Sequence, residues 1–116
     1  VFADFVTYPS LWEGWGNQFL EAIRSKLPIL VFEYPVFTKD IKPVGFNVIS
    51  LGSEISNFDS LGLAQVPMSK IHEAADEAVS MLINKEKRSQ TIEHNFNLGK
   101  DYFSLNSLHR YLEKLI

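Results

Sequence analysis

The 116-residue sequence is 46% hydrophobic and 22% charged, the balance of one globular domain, residues 1–116, and too short for two. Nine Phe, four Tyr and two Trp at a formal net charge of −3 exclude intrinsic disorder, and the absence of Cys excludes disulfides and thiolate metal sites. Eleven basic against fourteen acidic residues leave no footprint for nucleic acid, and the longest apolar run, residues 27–32, is far below the roughly 18 residues that cross a bilayer.

The chain opens on Val1 and enters an apolar segment at once, which reads as a piece cut from a longer protein. No charged and apolar leader precedes that segment, so the expected location is cytoplasmic. Residues 4–9 alternate and are rich in aromatic and β-branched side chains, a strand signal. The next stretch, SLWEGWGN, is a loop with two glycines and two tryptophans. Asn17 is the expected cap of a helix in which Phe19, Leu20, Ile23 and Leu27 recur near a 3.6-residue period, and Pro28 stops it. Residues 29–32 form a uniformly apolar run, the pattern of a strand covered on both faces. A third strand is expected over residues 47–51.

Residues 52–67 are polar and read as an irregular surface loop. A helix capped near Ser69 follows, with Ile71, Ala74, Ala75, Ala78 and Leu82 as its inward stripe. Another runs from about Ser89 to Tyr102, with Ile92, Phe96, Gly99 and Phe103 on one side. Ser104 or Asn106 caps a last helix whose Leu108, Tyr111, Leu112 and Leu115 are expected to face inward. Strands alternating with helices imply an α/β fold with a parallel sheet of about three strands, helices on both faces and C-terminal helices. This is a partial Rossmann-like domain. In the strand order 3-2-1-4-5-6 these would be strands 4, 5 and 6, which leaves the first of them with an unpaired apolar edge.

Chemistry points to one place. The segment PSLWEGWGNQFLEAI, residues 9–23, joins a strand end to a helix start, where open α/β sheets bind ligands. Gly14 and Gly16 permit positive φ and close backbone approach, and the free N–H groups of the helix start favour an anion such as a diphosphate. Glu13 lies in the loop, and Glu21, one turn inside the helix, can lean back toward it. Two carboxylates suit a hydroxyl-rich ligand, since each accepts hydrogen bonds from two sugar hydroxyls. A plain strand–loop–helix packing turn would use the same residue types, and the residues alone leave both readings open.

This segment resembles the donor-site signature of the retaining glycosyltransferases of family 4, which have the GT-B fold: a Glu, seven residues and a second Glu, within P-S-x-x-E-G-[FW]-G-x-x-x-x-E-A. Glu13 and Glu21 stand at the two Glu positions, and Pro9, Ser10, Gly14, Trp15, Gly16 and Ala22 fit their surroundings. The tail NLGKDYFSLNSLHRYLEKLI is similar to the family's closing helices, so the chain reads as half of a GT-B C-terminal domain. The resemblance implies a UDP- or GDP-hexose donor, with Glu13 near the reacting sugar, the backbone of Gly14, Trp15, Gly16 and Asn17 along the sugar and diphosphate, and Glu21 on the ribose. It implies no cofactor and no metal. It also places the acceptor site in an N-terminal domain and the diphosphate-binding basic pair before the matched part. The stretch EYPVFTKDIKPVGF lacks the family's usual glycine pair, while Asp40-Ile41 occupies the place of its acidic-aliphatic dipeptide.

The alternatives are a non-catalytic α/β interaction module and a sugar-nucleotide epimerase of the same architecture. His72, His94 and His109 share no metal-ligand spacing and read as surface or half-buried helix residues. Lys39 and Lys42 read as solvated loop lysines, Asp76-Glu77 and residues 85–88 as solvated helix surface, and Trp12 as packed within its loop.

Overall fold

The structure, a computed structural model, describes residues 2–116. Three short strands, β1 (Val6–Tyr8), β2 (Ile29–Val31) and β3 (Ile49–Ser50), form a parallel sheet in the order β1-β2-β3. Val6 pairs with Ile29, Tyr8 with Val31 and Leu30 with Ile49. Parallel partners share a face, so the apolar side chains sort into two clusters. Ile29 and Val31, with Val6 and Tyr8, pack with Phe19, Ala22 and Ile23 of helix α1 (Asn17–Arg24). Leu30 and Ile49 pack with Ala74 and Met81 of helix α2 (Met68–Ile83). The sheet is thus covered on both faces, as the uniformly apolar β2 implies.

Helix α1 departs from expectation at both ends. Its N-cap is Gly16, at φ 97°, and Asn17 is the first helical residue; no side chain caps the helix. The helix stops at Arg24, short of Leu27. Lys26 adopts φ 55°, and its N–H and that of Leu27 bond the carbonyls of Ile23 (3.1 Å) and Ala22 (3.2 Å). This paired closure satisfies the last carbonyls and turns the chain into Pro28.

The connection after β2 winds through a π-helical turn (Phe37–Ile41) and a 3-10 turn (Lys42–Val44), burying Phe37 and Ile41 in the α1-side cluster. Within the segment read as irregular loop lies an antiparallel hairpin of β4 (Asn57–Phe58) and β5 (Ala64–Gln65). One carboxylate oxygen of Asp59 accepts the N–H groups of Leu61 (2.8 Å) and Leu63 (2.9 Å) and organises its turn. Two-residue strands are too short to show alternation, so the sequence carries only the turn signal.

Helix α2 starts after Pro67, not at a Ser69 cap, and its inward line is Ala74, Ala78 and Met81; Ile71, Ala75 and Leu82 are exposed. Asn84 separates it from α3 (Lys85–Phe103), which begins four residues before the expected Ser89 because the Asn84 side chain accepts the N–H of Lys87 at 3.0 Å. Ile92, Phe96, Gly99 and Phe103 are half-buried along α3. Gly99 allows α3 to approach α1 closely, since a Cβ there would lie 3.0 Å from Ile23. Ser104 caps α4 (Leu105–Glu113) through the N–H of Ser107 at 3.1 Å. The apolar face of α4 is not buried: Leu108, Tyr111, Leu112 and Leu115 are all exposed.

Candidate functional site

The loop between β1 and α1 stands at the carboxyl end of the parallel sheet. Tyr8 ends β1, and the Ser10 hydroxyl, three residues before Glu13, donates to its carboxylate at 2.6 Å. The hydroxyls of Ser10 and then Tyr8 hold the half-exposed Glu13 carboxyl below its ordinary value. A negative charge is therefore fixed at the mouth of the loop. The Tyr8 phenol in turn is pushed up by burial and by Glu13.

Behind this carboxylate stands Tyr34, from the connection after β2. Its ring lies edge-on to Tyr8, with centroids 6.2 Å apart, and its hydroxyl donates to the Trp15 carbonyl at 3.0 Å. Burial and the charge of Glu13 push its phenol up to about 12. Gly16 sits against the same hydroxyl: a Cβ there would lie 2.1 Å from it. Positive φ and absent space both require glycine at this position. Gly14 differs, with a negative φ and nothing within 4 Å of an added Cβ, so the fold itself does not require that glycine.

The other expected site residues lie on α1 and just before it. Trp15 is half-buried, edge-on to Phe103 at 5.0 Å. Asn17 is exposed at the first position of α1. Glu21 is exposed and borders a groove with Arg24, Phe96 and Lys100, and Glu13 stands beside Ser10 and Tyr8. Trp12 corrects its expectation, because it is 79% exposed beside Glu13 instead of packed in the loop. Lys42 is also no free solvated lysine, since its ammonium pairs with Glu33 at 2.6 Å, whereas Lys39 is exposed.

Sequence reasoning missed Tyr8, Tyr34 and Glu33. Glu33 stands two residues past the end of β2; its side chain is only 12% exposed and accepts Ser50 at 2.7 Å and Lys42 at 2.6 Å. Burial works to raise its carboxyl, and these two donors overcome that and leave it below its ordinary value. The signal for all three was positional: each lies at or just past the carboxyl end of a parallel strand. Among the described residues no cluster of His, Asp and Glu is arranged to hold a metal ion, and no helix is long and apolar enough to cross a membrane. His94 meets the Gly45 carbonyl at 2.9 Å, and His109 meets Glu113 at 3.1 Å.

The chain is similar to mannosylglucosylglycerate synthases. That of Thermotoga maritima is 46% identical over 112 residues, 97% of this chain and 26% of the relative. That of Petrotoga mobilis is 46% identical over 103 residues, 89% of this chain and 24% of the relative. The chain thus spans about a quarter of the length of these curated relatives. No family model matches it, and no solved structure does.

Proposed function

We propose that this chain is the donor-binding segment of a larger hexosyltransferase, which moves a hexose from a nucleotide sugar to an acceptor hydroxyl. The observation that carries the reading is the 46% identity to synthases of a mannosylated glycoside across 97% of the chain. The loop geometry agrees with it: an ionised Glu13 beside a glycine-built turn suits a ligand rich in hydroxyls and phosphate. In the proposed reaction the bond between the anomeric carbon and the diphosphate oxygen breaks, and the acceptor oxygen bonds that carbon with retention. The acceptor proton passes to the departing phosphate oxygen, and the nucleoside diphosphate leaves. Glu13 orients the hexose and opposes the positive charge that develops on it. Glu21 takes the ribose, the backbone from Gly14 to Asn17 takes the sugar and diphosphate, and neither metal nor cofactor takes part. Acceptor recognition belongs to a preceding domain, and the enzyme works in the cytoplasm.

The name of the relatives makes mannosyl transfer to a glucosylglycerate acceptor the first reaction to assay, with UDP- and GDP-hexoses as donors. In the full-length protein Glu13→Gln is expected to lower kcat by roughly 10²-fold or more, as for other single electrostatic contacts. Glu21→Gln is expected chiefly to raise the donor KM, because ribose contacts are equal in ground and transition states. Unchanged kcat and KM in both variants would sink the assignment. Failure to bind any nucleotide sugar would favour an interaction module, and an epimerised sugar released without acceptor would favour an epimerase.

A further inference from the structure

Tyr34 belongs to the connection after β2, yet its hydroxyl reaches the loop after β1. The side chain is fully buried. Its ring is fixed from two sides, edge-on to Tyr8 and tilted against Phe37 at 5.8 Å. The hydroxyl therefore has one well-defined direction, and it points at the Trp15 carbonyl, 3.0 Å away.

That bond fixes more than an oxygen. The described residues contain no cis peptide, so the Trp15 carbonyl and the Gly16 N–H lie on opposite sides of one planar peptide. A carbonyl held toward Tyr34 turns the Gly16 N–H away from it. Among the described residues this N–H has no hydrogen-bond partner. The left-handed φ of Gly16 supplies the turn, and its missing side chain leaves the space that the phenol occupies.

We propose that Tyr34 is a positioning residue: by fixing the Trp15 carbonyl it aims the Gly16 N–H at the diphosphate of a nucleotide sugar. The inference rests on the donor-site reading above. It adds a residue from a different crossover and gives it a stated action. An N–H bond to a diphosphate is charge-assisted and strengthens as the leaving group gathers charge. Tyr34 itself touches no substrate. Without its hydroxyl the peptide is free to rotate, and the amide loses its preset direction.

The test uses the full-length protein, wild type and Tyr34→Phe, titrated calorimetrically with uridine and guanosine diphosphates and with the bare nucleosides. Tyr34→Phe is expected to weaken the preferred diphosphate about tenfold, the scale of one hydrogen bond to a charged group, and to leave the matching nucleoside unchanged. Its kcat should fall by at least the same factor. Equal weakening of both ligands, or of neither, overturns the proposal. A second measurement does not depend on how the variant folds. In wild-type protein labelled with 15N-glycine, the Gly16 amide proton should shift downfield when the diphosphate binds and stay in place with the nucleoside. An unmoved Gly16 resonance overturns the proposal while leaving the donor site standing. A wild-type protein that binds neither diphosphate nor nucleoside overturns the donor-site reading itself.

Discussion

At the residue scale the two glycines of the loop make different demands, and the difference separates fold from function. Gly16→Ala must place a side chain at φ 97° and into the Tyr34 hydroxyl. Left-handed strain and overpacking together are expected to cost about 2–4 kcal/mol in denaturant unfolding. Gly14→Ala meets nothing within 4 Å and should leave stability within about 0.5 kcal/mol of wild type. If Gly14→Ala nevertheless weakens donor binding, the open space above Gly14 belongs to the ligand. Titration gives a second prediction. The folded pKa of Glu13 is depressed by Ser10 and Tyr8, so its contribution is fully present above its unfolded value near 4.5 and is lost as pH falls through the folded value. The phenols of Tyr8 and Tyr34 move the opposite way. Both are raised from 10.0, so they resist ionisation in the fold and stability must decline as pH rises above about 10. Unfolding curves from pH 3 to 11 should show both flanks. Glu13→Gln should flatten the acid flank and Tyr34→Phe the alkaline one.

At the element scale one side chain joins the third helix to the sheet. Asn95, 1% exposed, accepts the Asn47 N–H at 2.8 Å and donates to the Asn47 carbonyl at 2.8 Å, just before β3. Both amide groups of the side chain are used, and both backbone groups of Asn47 are satisfied. Asn95→Ala is expected to cost about 1–3 kcal/mol, because it removes both partners at once. Asn95→Asp sets a carboxylate oxygen against the Asn47 carbonyl, acceptor facing acceptor, in a site 1% exposed, and at neutral pH should destabilise at least as much as alanine in thermal or denaturant melts. By contrast the ion pair between Lys26 and Glu93 is exposed on both sides and should contribute little.

At the scale of the whole molecule the shape is drawn out. The radius of gyration is 15.7 Å, against about 13 Å for a compact domain of this size. The described residues extend 54 Å along the longest axis. α4 carries Leu108, Tyr111, Leu112 and Leu115 exposed, and the hairpin adds Phe58, with Leu61 and Leu63 nearby. Among the described residues β1 pairs within the sheet only with β2, so its other edge presents backbone groups unpaired by any described strand. This polypeptide alone is therefore expected to self-associate at micromolar concentration, measurable by sedimentation velocity. Leu108→Lys with Leu112→Lys should reduce the association without lowering the melting temperature. A monodisperse wild-type monomer would refute the expectation.

The amino-acid sequence by itself determined the α/β class, the three parallel strands, the cover on both faces and the position of the Glu13 loop. These rest on local signals: uniform apolar runs, helical periodicity, Pro28 as a stop, and a motif contiguous along the chain. Helix ends were less readable, since Gly16, Lys26 and Asn84 close or open helices through backbone torsions and single hydrogen bonds that periodicity does not register. The hairpin was invisible because its strands have two residues each. Only the tertiary structure decided which apolar stripe is buried. The faces of α2 and α4 look alike as patterns, yet α2 lies on β3 and α4 has no sheet beneath it, and burial depends on what stands opposite. The same holds for the loop. Glu13 and Gly16 were readable as a motif, but Tyr34 is eighteen residues from Gly16 along the chain and meets it only because β1 and β2 are neighbours in the sheet.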